Sequence, residues 1–307
     1  MKNSKQATPD DIDEQKPDEP KRKKTKIRIL YTLLIISIAA VTISAAGLGY
    51  ELYINRQGQA YYSGLTSDIP TRERDPGQNR PSNTSTASSL SPGATDNGNK
   101  EDNAETEPRE PEWTPYIDFE AANVSLPGIT AWILLEGTSL DYPVMQTTNN
   151  SFFLGHLADG TKHRSGAIFL DYRNSADFSD RNSLIYGHES RTGEMFGILK
   201  NYRRQSYYDE NPVMHLYTPE KDYELVLVAG YLVDSGIESP QIVFNDDAAF
   251  EAYVKAIKRK SMFKSDVEVN ADDRIVSLCT CAYDYPNARF VVVGKLVELN
   301  SASAAEH

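Results

Sequence analysis

Two cysteines are among the few residues of this sequence whose type and position suggest covalent chemistry. Cys279 and Cys281 close the apolar stretch 274–281, and they are the only cysteines in the chain. A thiolate is the nucleophilic form of cysteine, and a nearby cation or imidazolium increases its population. Residues i and i+2 of a strand share a face, at a separation near the upper limit for a disulfide, so we do not expect a bridge. Spacing alone does not say which thiol would react, and both could be small buried hydrophobic residues.

A histidine and an arginine could assist such a thiol. His188 follows the apolar run 182–187, so we predict that a strand ends there, that Gly187 lets the backbone turn, and that the imidazole is presented at the strand end. Arg289 opens the apolar run 290–293. The alternatives are a structural or surface histidine and an ordinary surface arginine. As a set, a thiol can attack, an imidazole can transfer protons, and a guanidinium can stabilise an oxyanion.

The elements that must position these residues are mainly strands. From Trp113 to about Leu299, short apolar runs rich in β-branched and aromatic residues are broken by Gly, Pro, Asn and Asp, which is typical of an all-β domain. One helix is predicted at 249–260, where Phe250, Tyr253, Val254 and Ile257 recur on one face. The fold class is therefore mostly β, a barrel with helical insertions. The predicted strands are 131–135, 141–145, 166–171, 183–186, 213–217, 223–232, 274–279 and 289–299.

An uncharged segment precedes this domain. Residues 29–50 contain no charged side chain, and as a helix they are long enough to cross a hydrocarbon core of roughly 30 Å. A cleavable signal peptide and a buried core helix are the alternatives, but the run exceeds the apolar part of a signal peptide. Basic residues crowd its amino side, so the positive-inside rule predicts a cytoplasmic N-terminus and an extracytoplasmic remainder.

Five segments follow from these patterns. They are a basic cytoplasmic tail (1–28), a transmembrane helix (29–50), a juxtamembrane segment with a disordered linker (51–112), the catalytic domain (113–300) and a C-terminal tail (301–307). Residues 66–112 are dominated by polar residues, Pro and Gly, and cannot bury enough apolar surface to offset ordering. Before them, residues 51–65 could form a short amphipathic helix, although Gly58 weakens that prediction.

Charge and composition exclude several classes of function. The net charge is −12, which argues against a nucleic-acid-binding surface. Two cysteines cannot supply the usual thiolate zinc sites, and no glycine-rich phosphate loop or EF-hand-type calcium loop is present. We therefore expect no metal or organic cofactor.

The sequence resembles a known family through motifs spread over more than half of the chain. The Thr280-Cys281 pair followed closely by Arg289 is the most specific, and behind a membrane anchor it is typical of sortases, the membrane-anchored cysteine transpeptidases of Gram-positive bacteria. The helix at 249–260 favours class B over class A. Cys279 departs from the pattern, because relatives often have Ser there, and the long linker is a second departure. The other matching segments are Trp132, 137–138, 140–146, Asn150, 154–156, 165–171, 182–188, 195–196, 217–219 and 290–292.

This resemblance implies a sortase-like closed β-barrel and assigns site residues. His188, Cys281 and Arg289 match the family's catalytic residues, with Cys281 rather than Cys279 as the nucleophile. Substrate-binding positions of class B relatives match four residues of this chain, Asn150, Leu154, Thr280 and Tyr283. The implied partners are surface proteins that bear a C-terminal sorting signal, cleaved after Thr, and an amine of a peptidoglycan precursor or of a pilin.

Four functions stay open at this level. The resemblance favours a transpeptidase, but it does not decide between one that anchors proteins to the cell wall and a pilin-polymerising sortase that uses a different amine. A secreted cysteine protease would release the same thioacyl intermediate to water. A tethered binding module with a buried, inert Cys281 would catalyse nothing.

Overall fold

The computed structural model describes residues 19–69, 116–190, 193–236, 238–281 and 287–299, with side chains from residue 28 onward. Side chains are not described for residues 66–68, and Cys281 is described by its backbone alone. Most of the predicted cytoplasmic tail, nearly all of the predicted linker, the C-terminal tail and Tyr283 lie outside these ranges. The chain divides into two units between Asn55 and Arg56.

Helix α1 (Glu19–Asp68) is much longer than the predicted span and continues through Gly58. Its part Arg28–Leu65 contains a window of mean hydropathy 2.3 that is 0% buried, so it is a candidate membrane span by length and composition. That exposure does not fit the alternative of a buried core helix. Gly58 does not interrupt α1. At this position the helix lies so close to another segment that a larger residue would crowd it.

Eight strands form a closed barrel in the order β1-β2-β3-β4-β7-β8-β6-β5, which confirms the predicted mostly β architecture. The pairs β2/β3 and β4/β7 are parallel and the other pairs are antiparallel. The strands are β1 (Ile129–Leu134), β2 (Asp141–Met145), β3 (Ile168–Leu170), β4 (Asn182–Gly187), β5 (Val213–Tyr217), β6 (Asp222–Asp234), β7 (Ile275–Cys281) and β8 (Ala288–Glu298).

Helical insertions decorate the barrel. Helix α2 (Phe119–Ser125) precedes β1, and a 3-10 turn (Phe152–Leu154) lies between β2 and β3. A second 3-10 segment (Phe196–Arg203) and helix α3 (Gln205–Glu210) lie between β4 and β5. Helix α4 (Asp247–Lys260) connects β6 to β7.

Helix α4 covers the strands that carry the cysteines. The Asp246 side chain caps it by accepting the Ala249 amide hydrogen at 2.7 Å, and basic residues end it, as the helix dipole favours. Of its predicted stripe, Phe250, Val254 and Ile257 are buried and Tyr253 is partly buried. Each fully buried aliphatic or aromatic side chain stabilises the fold by about 1.5–3 kcal/mol. These residues pack with Ile275, Cys279, Val291 and Val293. The alternate residues Val276, Leu278, Phe290 and Val292 join the larger core, so β7 and β8 are buried on both faces.

Candidate active site

A groove of about 240 Å³ lies at the end of the barrel where β4 and β7 finish. We call one side of it the ladder wall, because its residues Tyr186, Gly187, His188, Cys279 and Arg289 lie on or directly beside β4, β7 and β8. We call the other side the loop wall. Its residues precede or begin β3, and they are Asn150, Phe153, Leu154, Ser165, Ala167 and Phe169.

Strand register brings the three predicted catalytic positions together. In the parallel pair β4/β7, Gly187 is opposite Thr280. His188 and Cys281 are therefore the next residues along these two neighbouring segments. In the antiparallel pair β7/β8, Cys281 is directly opposite Arg289. Paired residues of neighbouring strands have Cα atoms only about 4.5–5.5 Å apart. The His188 and Arg289 side chains both line the groove.

His188 is positioned by the glycine before it. A Cβ atom on Gly187 would lie 2.5 Å from the Phe196 ring, so only glycine lets Phe196 pack against the end of β4. The Phe196 amide donates a hydrogen bond to the His188 carbonyl oxygen at 3.1 Å. The sequence argument assigned Gly187 to a backbone turn. In the structure, Gly187 is instead the last residue of β4, and its lack of a side chain leaves room for the Phe196 ring.

The electrostatics of the groove favour a neutral His188. Burial lowers the pKa of the His188 imidazole below its usual value, and the positive charge of Arg164 lowers it further. At neutral pH the ring therefore has one nitrogen free of a proton and able to accept one. This is the state that a base needs in order to take a proton from a thiol.

Arg289 brings a permanent positive charge to the ladder wall. Its guanidinium is half-buried and donates a hydrogen bond to the Ala288 carbonyl oxygen at 3.1 Å. Among the residues that the structure describes, no carboxylate forms an ion pair with Arg289. Its charge is therefore not neutralised by a described acid, and its remaining N–H groups can bind an anionic oxygen.

The loop wall is held by a buried carboxylate that the sequence argument did not single out. Asp171, 0% exposed, follows β3 and accepts hydrogen bonds from Asn150 Nδ2 at 2.9 Å and Tyr186 Oη at 3.2 Å. Arg173 donates three more hydrogen bonds to the Asp171 carboxylate, from Nη2 at 2.7 Å, from Nε at 2.8 Å and from its backbone amide at 3.0 Å. Burial disfavours the Asp171 charge, but the Arg173 and Asn150 hydrogen bonds outweigh it and hold the carboxyl pKa below its usual value.

Asn150 is thereby fixed at both ends of its amide. Its nitrogen donates to Asp171, and its oxygen accepts the Tyr172 amide hydrogen at 3.0 Å. Leu154, at the end of the 3-10 turn, is 66% exposed on the groove. An exposed leucine beside a fixed amide gives this wall one apolar and one polar contact for a ligand.

The other two predicted substrate-binding residues, Thr280 and Tyr283, are not among the described residues that line the groove. Thr280 is only 2% exposed, does not line the groove, and its hydroxyl has no hydrogen-bond partner among the described atoms. Strand alternation explains this, because Thr280 points away from the face of Cys279. Tyr283 lies outside the described residues. The structure therefore brings Asn150 and Leu154 to the groove but not the Thr280 side chain.

Cys279 lies in the groove lining and beneath α4 at the same time. Its thiol is reduced and only 3% exposed, and it packs in the cluster that includes Phe250 and Val254. Within the described ranges, no three His, Cys, Asp or Glu side chains gather as a metal site.

Several residues in or beside the groove were not predicted from the sequence. Tyr186 and Asp171 stand at the ends of apolar strands, which is a usable signal, since buried polar groups at strand ends need partners. Arg164 and Ser165 lie in a polar loop, and neither composition nor spacing distinguishes them from solvent-exposed residues.

Comparison with known proteins identifies the family. The sortase domain matches residues 133–297, more than half of the chain. Sortase B of Listeria monocytogenes is 34% identical over 182 residues, which are 59% of this chain and 73% of that protein. The Staphylococcus aureus sortase B–substrate complex has a TM-score of 0.57 at 32% identity, covering 59% and 85%. A sortase B complexed with triglycine has a TM-score of 0.56 at 33% identity, covering 59% and 86%.

The chain belongs to the sortase family of cysteine transpeptidases. Within that family, its relatives and its closed barrel identify it as a class B sortase.

Proposed function

We propose that this protein cleaves a C-terminal sorting signal after a threonine, holds the protein as a thioacyl ester on Cys281, and transfers it to an amine. The observation that carries this proposal is the strand register, which aligns Cys281 with Arg289 across β7/β8 and with His188 across β4/β7, at the edge of the groove. Because alternate residues of a strand share a face, position 281 lies on the same face of β7 as Cys279, which lines the groove.

The first half of the reaction breaks the peptide bond. Neutral His188 accepts the thiol proton as the Cys281 sulfur attacks the threonine carbonyl carbon, and Arg289 stabilises the resulting oxyanion. The imidazolium then gives that proton to the departing amine. The lowered pKa of His188 supports this sequence, because the ring is neutral before the attack and a strong proton donor after it.

The second half forms a new amide bond. An incoming amine attacks the thioester carbonyl, His188 takes one proton from it, and the same proton returns to the sulfur as Cys281 leaves. Two complexes of relatives support the two binding partners of this reaction, since one sortase B is complexed with a substrate and another with triglycine. We propose a peptidoglycan-precursor amine or a pilin amine as the acceptor.

Asn150 and Leu154 are the substrate contacts that the geometry supports best. The fixed Asn150 amide would bind the backbone of the extended signal peptide, and the exposed Leu154 would contact an apolar side chain. Thr280 and Tyr283 remain proposals based on the family resemblance, and for Thr280 only a backbone contact is compatible with its burial.

We also propose a single-pass topology. The basic residues before Arg28 would keep the N-terminus in the cytoplasm, and the apolar part of α1 would cross the membrane. The groove would then act outside the cytoplasm, where sorting signals are exposed after export.

The experiment that tests this function uses the full chain in detergent micelles and a library of threonine-containing sorting-signal peptides. We expect intact-protein mass spectrometry to detect a thioacyl adduct, and triglycine to divert it into an aminolysis product. Cys281→Ala should lose both. Adduct formation in Cys281→Ala would overturn the nucleophile assignment, and hydrolysis that no amine diverts would favour a protease.

A thiol-accessibility measurement separates the enzyme from a binding module. We expect rapid alkylation of the native chain by iodoacetamide at Cys281, lost in Cys281→Ala. Alkylation that requires unfolding would mean that Cys281 is buried and would support the binding module.

A further inference from the structure

Gly58 of helix α1 contacts the segment that forms part of the loop wall. A Cβ atom at Gly58 would lie 3.1 Å from His163 Cε1 and 3.3 Å from Ser165 Oγ, so a side chain there would press on both residues. Ser165 itself lines the groove. The glycine that weakened the helix prediction therefore allows a helix to approach the back of the groove closely.

One turn further along, Tyr62 makes a second contact with the same segment. It is 6% exposed, and its hydroxyl donates a hydrogen bond to the Gly166 carbonyl oxygen at 3.0 Å. Its ring packs edge-to-face on Tyr142 of β2, with centroids 5.0 Å apart. The helix is thus joined to the barrel and to residues 163–167 by one buried tyrosine.

Residues 163–167 transmit this contact to the groove. Ser165 and Ala167 line it, and Gly166 between them has a φ of +64° and no room for a Cβ atom, which would lie 2.4 Å from the Phe153 carbonyl oxygen. The Ala167 amide donates to that oxygen at 2.9 Å. Phe153 belongs to the 3-10 turn that carries Leu154, so three layers are stacked: α1, residues 163–167, and the turn.

We propose that residues 58–62 of α1 are the outer support of the substrate groove, with Gly58 and Tyr62 as positioning residues. The proposal rests on the proposed function for the identity of the substrate, a sorting-signal peptide. The loop wall has no ladder pairing at Asn150, Leu154 or Ser165, so its position depends on packing from behind. Helix α1 provides that packing, and the same helix contains the candidate membrane span.

Two glycines of α1 give a matched test. Gly58→Leu adds a side chain that must displace His163 or Ser165, whereas Gly64→Leu adds the same side chain where no atom lies within 4 Å. Both changes replace a glycine inside the same helix and favour the helix equally. In the full chain, we expect Gly58→Leu to raise KM for the signal peptide about tenfold, because overpacking of a close contact shifts the neighbouring groove lining, with kcat nearly unchanged. Gly64→Leu should change neither constant.

Tyr62→Phe is the milder variant. It keeps the ring packing and removes only the hydrogen bond to Gly166, so we expect a severalfold smaller rise in KM than for Gly58→Leu, with the thermal unfolding midpoint nearly retained. If Gly58→Leu does not fold, Tyr62→Phe decides the question. A wild-type KM in Tyr62→Phe, or equal KM values in Gly58→Leu and Gly64→Leu, would overturn the proposal.

Hydrogen exchange separates this proposal from the proposed function. If the wild-type chain transfers no peptide, the proposed function fails, but the support role of α1 can still be measured as amide exchange over residues 152–167. We expect faster exchange there in Gly58→Leu than in Gly64→Leu. Identical exchange in the two variants would show that α1 does not hold the loop wall.

Discussion

The two walls of the groove are built in different ways. The ladder wall is placed by backbone hydrogen bonds, because β4, β7 and β8 are neighbours in the barrel and their register sets the positions of His188, Cys281 and Arg289. The loop wall is placed by side chains, namely Asp171 on Asn150 and Tyr62 behind residues 163–167. A backbone ladder tolerates most substitutions, whereas a wall held by a few side chains depends on each of them. We therefore expect chemistry to depend on the first wall and peptide affinity on the second.

The largest effect should come from Arg289→Lys on the ladder wall. Lysine keeps the charge but lacks the planar fork, so we expect kcat to fall by roughly 10²–10³-fold, the loss typical of removing an oxyanion donor. Steady-state kinetics with a fluorogenic signal peptide measure it. Arg164→Lys is the control, since it makes the same exchange at a residue whose positive charge lowers the pKa of His188. A near-normal kcat in Arg289→Lys would assign the guanidinium a structural role.

Asp171→Asn should be next, and it should act on the loop wall. The amide would present a donor to the groups that now donate to the carboxylate, leaving Asn150 without its anchor, so we expect KM to rise about tenfold, in line with the cost of an unsatisfied buried group. Asp177→Asn, the same change at an exposed residue nearby, should leave KM unchanged.

A double-mutant cycle sharpens this prediction. If Asp171 acts through Asn150, the KM effects of Asp171→Asn and Asn150→Ala should overlap rather than add. Fully additive effects, or a loss in kcat rather than in KM, would show that Asp171 does not work by positioning Asn150.

A smaller effect is expected on pH dependence. Arg164→Gln removes the second of the two causes that lower the pKa of His188, leaving burial as the first. The His188 pKa should rise toward its ordinary value of 6.5, so activity should be lost at a higher pH as the solution is acidified. The acid limb of the kcat/KM profile measures this shift. Lys162→Gln, a change of the same charge in the same loop, should leave the limb in place, and an equal shift in both variants would point to general charge effects.

Cys279→Ser should have the smallest effect on the reaction. The hydroxyl replaces a buried thiol, at a cost of about 1–3 kcal/mol for a polar group in an apolar site, so we expect a thermal midpoint lower by several degrees. Turnover per folded molecule should be retained, because the proposed nucleophile is Cys281. Loss of the thioacyl adduct in Cys279→Ser would mean that the wrong thiol was chosen.

The same difference between the walls explains what the sequence could predict. The short apolar runs of β4, β7 and β8 identify the strands and place His188 and Arg289 next to strand ends or starts, where the structure has them. Pairing between β4 and β7 is a long-range property that no local pattern reveals. The family resemblance, rather than spacing, selected Cys281.

The loop wall was less predictable for a physical reason. Asn150 and Leu154 were named only by resemblance, and the roles of Asp171, Tyr62 and Gly58 depend on contacts between segments far apart in sequence. Gly58 was interpreted from helix propensity alone, and propensity carries no information about which residues of a distant segment pack against the glycine. Thr280 was named from a motif, which gives residue identity but not the face of the strand.

The parallel pairing of β4 with β7 also has a consequence for how the chain folds. The partners Asn182 and Ile275 are separated by β5, β6 and α4, and contacts between such distant residues form slowly because a large loop must close first. Histidine and cysteine would therefore meet only in the late stages of folding. We expect incompletely folded molecules to carry a thiol that His188 does not yet activate, which limits premature acylation.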